Sequence, residues 1–85
     1  MKLILSSKAW NDYLYWQLTD KKMLKRINLL IREIKRSAYD GIGKPEHLKH
    51  GLSAYRSRRI NDEHRIVYKC QSDAIFIAQL RYHYT

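Results

Sequence analysis

The last six residues of the chain bring together side chains that could move protons and hold an anion. An apolar run ends at Leu80, and residues 81–85 then supply a guanidinium, two phenols and the imidazole of His83. Imidazole donates or accepts a proton near neutral pH, which favours a role for His83 in proton transfer. The competing interpretation is a frayed terminal residue without a function.

One chemistry that such groups fit is metal-independent cleavage of RNA. In that reaction the ribose 2′-hydroxyl must lose a proton, the departing 5′-oxygen must gain one, and the negative phosphorus centre needs cations. Glu46 supplies a carboxylate on a polar loop, three residues before Lys49. The alternative for Glu46 is simple neutralisation of Lys44 and Lys49.

Two arginines flank a predicted hairpin. Residues 54–60 and 65–70 have the alternation of strands around a turn at 61–64, and Arg59 and Arg65 have the parity that places both side chains on one sheet face. They could therefore hold a phosphate together. Alternatively, Arg56, Arg58 and Arg59 form a solvated strand edge that discourages pairing with other sheets.

The composition predicts one small folded domain, residues 1–85, with an anionic partner. The chain has 17 basic and 8 acidic residues and a net charge of +9, which favours nucleic acid. A basic surface that serves only solubility, or an acidic protein partner, are the alternatives. The single Cys70 cannot form an internal disulfide, and no signal peptide or membrane-spanning run is present, so the expected location is a reducing cytoplasm.

Hydrophobic periodicity predicts the element order β-α-α-β-β-β. This is an α+β fold in which two N-terminal helices pack on a mostly antiparallel β-sheet. Residues 2–5 form the first strand, and Ser6 or Ser7 caps a helix over residues 8–18. The predicted core-facing stripe of that helix is Trp10, Tyr13, Leu14 and Gln17. The last strand is predicted over residues 74–80, so that His83 follows its far end.

The second helix, capped by Thr19 or Asp20, has the clearest pattern. Its apolar face is Met23, Leu24, Ile27, Leu30, Ile31 and Ile34. The opposite face is basic, which fits a solvated surface, an anionic membrane or a phosphate backbone. Because strands flank this helix, packing on a sheet is favoured over membrane binding. No metal is expected, since His47 and His50 form the closest pair of ligand types and Cys70 stands alone.

Six blocks of sequence carry a resemblance to a known family. They are residues 10–16 (WNDYLYW), 43–46 (GKPE), 48–50 (LKH), 57–60 (SRRI), 63–65 (EHR) and 81–84 (RYHY). Together they resemble the YoeB/Txe toxins, a branch of the RelE/ParE superfamily of bacterial toxin–antitoxin systems. The resemblance implies a microbial-ribonuclease-like RelE fold and cleavage of messenger RNA in the ribosomal A site, which inhibits translation. It also implies a YefM/Axe-type antitoxin as partner and no cofactor, and it is compatible with a homodimer.

The resemblance further implies roles for single residues. Glu46 resembles the general base, His83 the general acid and Arg65 the residue that stabilises the phosphate. Supporting, substrate-binding roles are implied for Lys49, Arg59 and Tyr84. His47 stands where this family often has a second proline, and Thr85 extends past its usual terminal tyrosine.

Two other function classes remain in play. A non-catalytic basic module would bind nucleic acid without cutting it, with an affinity that falls steeply with salt. A toxin of the ParE branch would act on DNA gyrase and would not need Glu46 or His83. The presence of both an acid and a base candidate favours a metal-independent endoribonuclease.

Overall fold

In a computed structural model, which describes residues 1–49 and 54–83, two helices pack against a five-stranded sheet. The strands are β1 (Lys2–Leu5), β2 (Glu46–His47), β3 (Arg56–Arg59), β4 (Arg65–Gln71) and β5 (Ala74–Gln79), and the helices are α1 (Ser7–Thr19) and α2 (Lys21–Arg36). The strand order is β1-β5-β4-β3-β2, with β1 parallel to β5 and the other pairs antiparallel. The predicted α+β fold is confirmed, and the two-residue strand β2 is an addition to the predicted order.

Both helices begin at side-chain caps. The Ser6 hydroxyl accepts a hydrogen bond from the amide of Ala9, and the Asp20 carboxylate accepts from the amides of Lys22 and Met23. These bonds satisfy amides of the first turn that have no partner inside a helix. The caps predicted from the sequence are confirmed, and the two helices are separated by Asp20 alone.

The apolar face of α2 forms the centre of the core, as predicted. Its buried members are Met23, Ile27, Leu30 and Ile34, and Leu24 and Ile31 pack against them with more of their surface exposed. From the sheet side the cluster is completed by Ile60, Ile66, Tyr68, Ile75, Ile77 and Leu80. Neither of the two helices in the described residues is long and apolar enough to cross a bilayer.

The predicted core stripe of α1 is wrong at its two ends. Trp10 and Gln17 are exposed, and the buried residues of this helix are Ala9, Asp12 and Trp16. The buried face is displaced because Asp12 and Trp16 bind the main chain of Leu80: the Asp12 carboxylate accepts from its amide at 3.0 Å, and the Trp16 Nε1 donates to its carbonyl at 3.0 Å. A polar anchor of this kind leaves no trace in hydrophobic periodicity.

Strand β3 contains a fully buried arginine. The interpretation of Arg58 as part of a solvated edge is wrong, because β3 lies between β4 and β2 and Arg58 has no exposed surface. Its guanidinium donates to the Tyr68 hydroxyl at 3.1 Å and to the carbonyls of Ser37, Asp40 and Ile42 at 2.5, 3.0 and 3.3 Å. Arg58 therefore holds the connection between α2 and β2 in place.

Candidate active site

Three of the predicted site residues, Glu46, Arg59 and Arg65, lie on the sheet face that points away from the helices. Ile66 and Tyr68 of β4 belong to the core on the helix side, as does the buried Arg58 of β3. Successive side chains of a strand point to opposite faces, so Arg59 and Arg65 point away from the helices. We call this surface the open face; it carries Glu46, Ser57, Arg59, Arg65, Val67 and Gln79.

One row of paired residues crosses the open face. Glu46 pairs with Ser57, Ser57 with Val67, and Val67 with Gln79. Directly paired residues direct their side chains to the same face, so Glu46 at one end of the row and Gln79 at the other share the open face. Three strand spacings separate the backbones of Glu46 and Gln79, which is roughly 14 Å. This span is wide enough for a nucleotide to lie between side chains from the two ends.

Arg59 and Arg65 are directly opposite each other on neighbouring strands. The Arg59 amide donates to the carbonyl of Gly43 and the Arg65 amide to the carbonyl of Tyr82, so neither bonds across the pair. In such a non-hydrogen-bonded pair the side chains lie at the closest spacing of a sheet, with Cβ atoms about 4.5–5.5 Å apart. The predicted parity of the two arginines is confirmed.

The two guanidiniums lack a carboxylate partner within the described part of the chain. The ion pairs recorded there are Lys8 with Asp12, Arg36 with Glu33, and the imidazole of His64 with Glu63, and none includes Arg59 or Arg65. Like charges directly opposite in a sheet destabilise it by roughly 0.2–1 kcal/mol. A bound anion would remove this repulsion, so the pair is suited to receive a phosphate.

Only one nitrogen of Arg65 is committed to the protein's own groups in the described residues. Its Nη1 donates to the carbonyls of Asn61 and His64 at 3.0 and 3.2 Å, within the loop between β3 and β4. These bonds hold the guanidinium at the end of the hairpin. The Nε and Nη2 retain N–H groups that a phosphate oxygen could accept.

The loop before Glu46 adopts left-handed backbone conformations. A proline restricts the residue before it to extended conformations, which predicts an extended Lys44 before Pro45. That prediction is wrong, because Gly43 has φ +85° and Lys44 has φ +51°. Tertiary contacts override the local preference, because the Gly43 carbonyl accepts from the Arg59 amide at 2.6 Å. The outcome is a fixed turn that delivers an exposed Glu46 to the sheet edge beside β3.

Replacing Gly43 with alanine should lower the free energy of unfolding by about 1–3 kcal/mol. A Cβ there would lie 3.0 Å from Leu30 Cδ2 and 3.1 Å from both Arg58 Cβ and the Arg59 carbonyl oxygen, at a positive φ. Urea unfolding measures the loss. Lys44→Ala is the matched control, since Lys44 already carries a Cβ at positive φ, and a similar loss in both variants would contradict the expectation.

The residues after β5 turn onto the open face. The Gln79 side-chain amide donates to the carbonyls of Arg81 at 2.9 Å and His83 at 3.3 Å, which draws the chain back over the end of the sheet. Tyr82 and His83 are both exposed. Across the sheet, Glu46 on β2, Arg59 on β3 and Arg65 on β4 are therefore followed by the main chain of His83 beside the end of β5.

The remaining predicted residues are less fully described. Lys49 is exposed and follows β2, whose continuation is held to Tyr55 by a hydrogen bond from the amide of Leu48 at 3.0 Å. The Nε2 of His47 contacts the Arg56 guanidinium at 2.6 Å, which gives this histidine a local partner. Tyr84 lies outside the described residues, as does His50 of the alternative metal pair.

Sequence reasoning missed the polar side chains that hold the tail. Asp12, Trp16, His64 and Gln79 each bond to a main-chain group between Leu80 and His83. A usable signal for two of them was the spacing of Ala9, Asp12 and Trp16, which lie on one side of a helix. Had the stripe been centred on Trp16, Asp12 would have stood out as a carboxylate on the buried face.

Metal and thiol chemistry find little support in the described residues. Across residues 1–49 and 54–83 no group of three or more His, Cys, Asp or Glu side chains is placed to hold a metal ion. Cys70 is half-buried, and burial raises the pKa of its thiol, so less of the reactive thiolate is present at neutral pH.

Comparisons with known proteins agree on one group of relatives. A family model described as "YoeB-like toxin of bacterial type II toxin-antitoxin system" matches residues 5–84. Toxin YoeB of Escherichia coli K12 is 56% identical over 84 residues, covering 99% of this chain and all of that protein. The solved YoeB dimer from Staphylococcus aureus is 50% identical with a TM-score of 0.94, covering 99% of this chain and 98% of that one. The toxin chain of the heterotetrameric YoeB–YefM complex from Staphylococcus aureus is 49% identical with a TM-score of 0.91 and the same coverage.

Proposed function

Because the chain belongs to the family of YoeB-like toxins of bacterial type II toxin–antitoxin systems, we propose that it is a metal-independent endoribonuclease. Its substrate is messenger RNA in the ribosomal A site, and the consequence of cutting is arrest of translation. The observation that carries the proposal is the arrangement of the open face. The exposed Glu46 lies at one end, and at the other end Gln79 bonds to the main-chain carbonyl of the exposed His83. Between them lie two arginines that lack carboxylate partners in the described residues.

The reaction follows from the order of these side chains. Glu46 takes the proton from the ribose 2′-hydroxyl, whose oxygen forms a bond to the neighbouring phosphorus. The bond from phosphorus to the 5′-oxygen breaks, and His83 supplies the proton that the departing oxygen needs. Each proton transfer is worth about 10²–10⁴ in rate.

The arginines stabilise the charge that builds up on the phosphoryl oxygens. Arg65 is the principal donor, since its Nη1 is fixed by the hairpin and the rest of its guanidinium can bind the phosphate. Arg59 lies directly across from it and adds a second positive charge. A preorganised donor of this kind contributes about 10²–10³ in rate. Lys49 and Tyr84 complete the proposal as substrate-binding residues, Lys49 by charge and Tyr84 by contact with the message.

The reaction needs no resident cofactor in this proposal. The protein's own groups perform both proton transfers, and its arginines supply the positive charge that a metal ion would otherwise provide. The ribosome presents the message as an accessible single strand, whose flexible backbone can place the 2′-hydroxyl in line with the bond that breaks.

Primer extension on a translated message tests the proposal. Wild-type protein should produce breaks within codons at the A site, and His83→Ala should produce about 10²–10⁴ times fewer in the same time. The variant should keep its circular dichroism spectrum and its binding to ribosomes. Growth arrest that persists unchanged in both Glu46→Ala and His83→Ala would instead support a target such as DNA gyrase. Binding without any cleavage by wild-type protein would support a non-catalytic module.

An antitoxin of the YefM type is the proposed protein partner. The support is the similarity to the Staphylococcus aureus toxin that is solved as a YoeB–YefM complex. A flexible acidic segment would complement the net charge of +9 and could cover Arg59, Arg65 and His83 on folding against them. Self-association is proposed on the same footing, from the relative described as a YoeB dimer.

A further inference from the structure

The main chain from Leu80 to His83 is held by hydrogen bonds from other parts of the fold. Asp12 and Trp16 of α1 bind the amide and the carbonyl of Leu80. The amide of Tyr82 donates to the Nδ1 of His64 at 2.7 Å. The Tyr82 carbonyl accepts from the backbone amide that follows His64, at 3.0 Å. The tail is thus attached at successive residues: His64 binds the amide of the residue before His83, and Gln79 donates to the carbonyl of His83 at 3.3 Å.

Tyr82 needs such attachment because of its backbone conformation. Its φ is +63°, in the left-handed region that a bulky side chain rarely adopts. Residues in that region persist when surrounding contacts over-determine them. Both backbone hydrogen-bonding groups of Tyr82 are engaged, the amide by His64 and the carbonyl by Arg65. The turn at Tyr82 sets the direction in which the next residue, His83, leaves.

The environment of His64 suits its imidazole to accept the hydrogen bond from the Tyr82 amide. It is 7% exposed, its ring meets the Trp16 ring edge-on at a centroid distance of 4.9 Å, and the Tyr82 ring lies 5.5 Å away. A backbone amide only donates, so Nδ1 must be the unprotonated acceptor and Nε2 carries the proton. Nε2 lies 3.8 Å from the carboxylate of Glu63, which favours that tautomer.

A second observation is that hydrogen bonds hold the backbone of His64 in place. The hairpin loop that carries His64 is closed on itself, since the Asn61 side chain accepts from the amides of Glu63 and His64 at 2.8 Å. The His64 carbonyl in turn accepts from the amide of Ile60 at 2.9 Å. The position of the His64 imidazole is therefore fixed both by its loop and by its aromatic neighbours.

We propose that His64 is a positioning residue that sets the orientation of His83 by accepting the Tyr82 amide through Nδ1. The proposal rests on the proposed function, in which His83 donates a proton to the departing 5′-oxygen. His64 itself touches neither substrate nor reacting atoms. Its effect is transmitted through one hydrogen bond and the left-handed turn at Tyr82.

Two substitutions separate the hydrogen bond from the bulk of the side chain. His64→Leu keeps an apolar side chain between Trp16 and Tyr82 but removes the acceptor. His64→Asn keeps an acceptor, since its Oδ1 is as many bonds from Cβ as Nδ1 is. We expect kcat for cleavage to fall about 10–100-fold in the leucine variant with KM nearly unchanged, because a small misplacement of a catalytic group costs rate and not affinity. The asparagine variant should recover most of that loss.

A readout that does not depend on cleavage accompanies the kinetics. Amide hydrogen exchange at Tyr82 should be at least about tenfold faster in His64→Leu than in the wild-type protein and close to wild-type in His64→Asn. Tyr68→Phe is the control for general destabilisation, because it removes a buried hydroxyl bonded to Arg58 and Ala38, away from the tail. It should leave the exchange of the Tyr82 amide at its wild-type rate relative to global unfolding, and kcat unchanged.

Failure of the inference and failure of the proposed function give different results. Absence of cleavage by wild-type protein would overturn the proposed function, while exchange at Tyr82 would still report whether His64 anchors the tail. Unchanged exchange at Tyr82 in His64→Leu would overturn the anchoring. Faster exchange with unchanged kcat, or an equal loss of kcat in His64→Leu, His64→Asn and Tyr68→Phe, would overturn the positioning role.

Discussion

A Glu46→Gln variant should cut ribosome-bound message about 10²–10⁴ times more slowly than the wild-type protein. Glutamine keeps the size and the hydrogen-bonding capacity of the side chain but cannot take the proton of the 2′-hydroxyl. Glu46 is exposed, so its replacement should leave the fold and ribosome binding intact. Single-turnover cleavage with excess toxin isolates the chemical step and is the measurement that applies here.

The matched control is Asp73→Asn, which removes one carboxylate from an exposed turn between β4 and β5. Both variants raise the net charge by one, so any effect of charge on ribosome binding should appear in both. A Glu46→Gln protein that cleaves at the rate of Asp73→Asn would remove Glu46 from the role of base. The arginine pair would then remain as a phosphate-binding site without an identified proton acceptor.

Replacing Arg58 with methionine should destabilise the fold by at least about 3 kcal/mol. Methionine fills much of the same space but donates no hydrogen bond. The carbonyls of Ser37, Asp40 and Ile42 and the Tyr68 hydroxyl would then lose a buried donor at once. Hydrogen bonds to a charged group are each worth about 1.5–3 kcal/mol, so the summed loss is large even after relaxation.

Urea unfolding of Arg58→Met beside Arg56→Met tests this expectation. Arg56 is two residues away on the same strand, is only half-buried, and lies 4.2 Å from the centre of the Tyr39 ring. Its substitution should cost less than about 1 kcal/mol. Equal losses in the two variants would mean that the buried guanidinium does not hold the connection between α2 and β2.

The parts of the fold that follow from local pattern were predictable. The apolar spacing of α2, its cap at Asp20 and the cap of α1 at Ser6 are all properties of neighbouring residues, and the structure confirms them. The stripe of α1 was misplaced because the burial of Asp12 and Trp16 depends on Leu80, 68 and 64 residues away. No short-range signal encodes such a contact.

In the candidate site, too, the features set by local pattern were predictable and those set by distant contacts were not. Strand parity alone placed Arg59 and Arg65 on one face, and their direct pairing confirms it. Arg58 was misjudged because a charged residue next to Arg59 suggests solvent, whereas its carbonyl partners come from a loop whose path the sequence does not reveal. The attachment of His83 through Gln79 and His64 was likewise beyond reach, since it requires knowing where the tail turns.

The parallel pairing of β1 with β5 has a consequence for biosynthesis. Among the strands of residues 1–49 and 54–83, β1 has β5 as its one neighbour, and Lys2 is in register with Ala74. While residues 74–83 are still inside the exit tunnel, β1 cannot pair with β5, and Asp12 and Trp16 cannot bond to the main chain of Leu80. The sheet therefore cannot take its five-stranded form before residues 74–79 have left the tunnel.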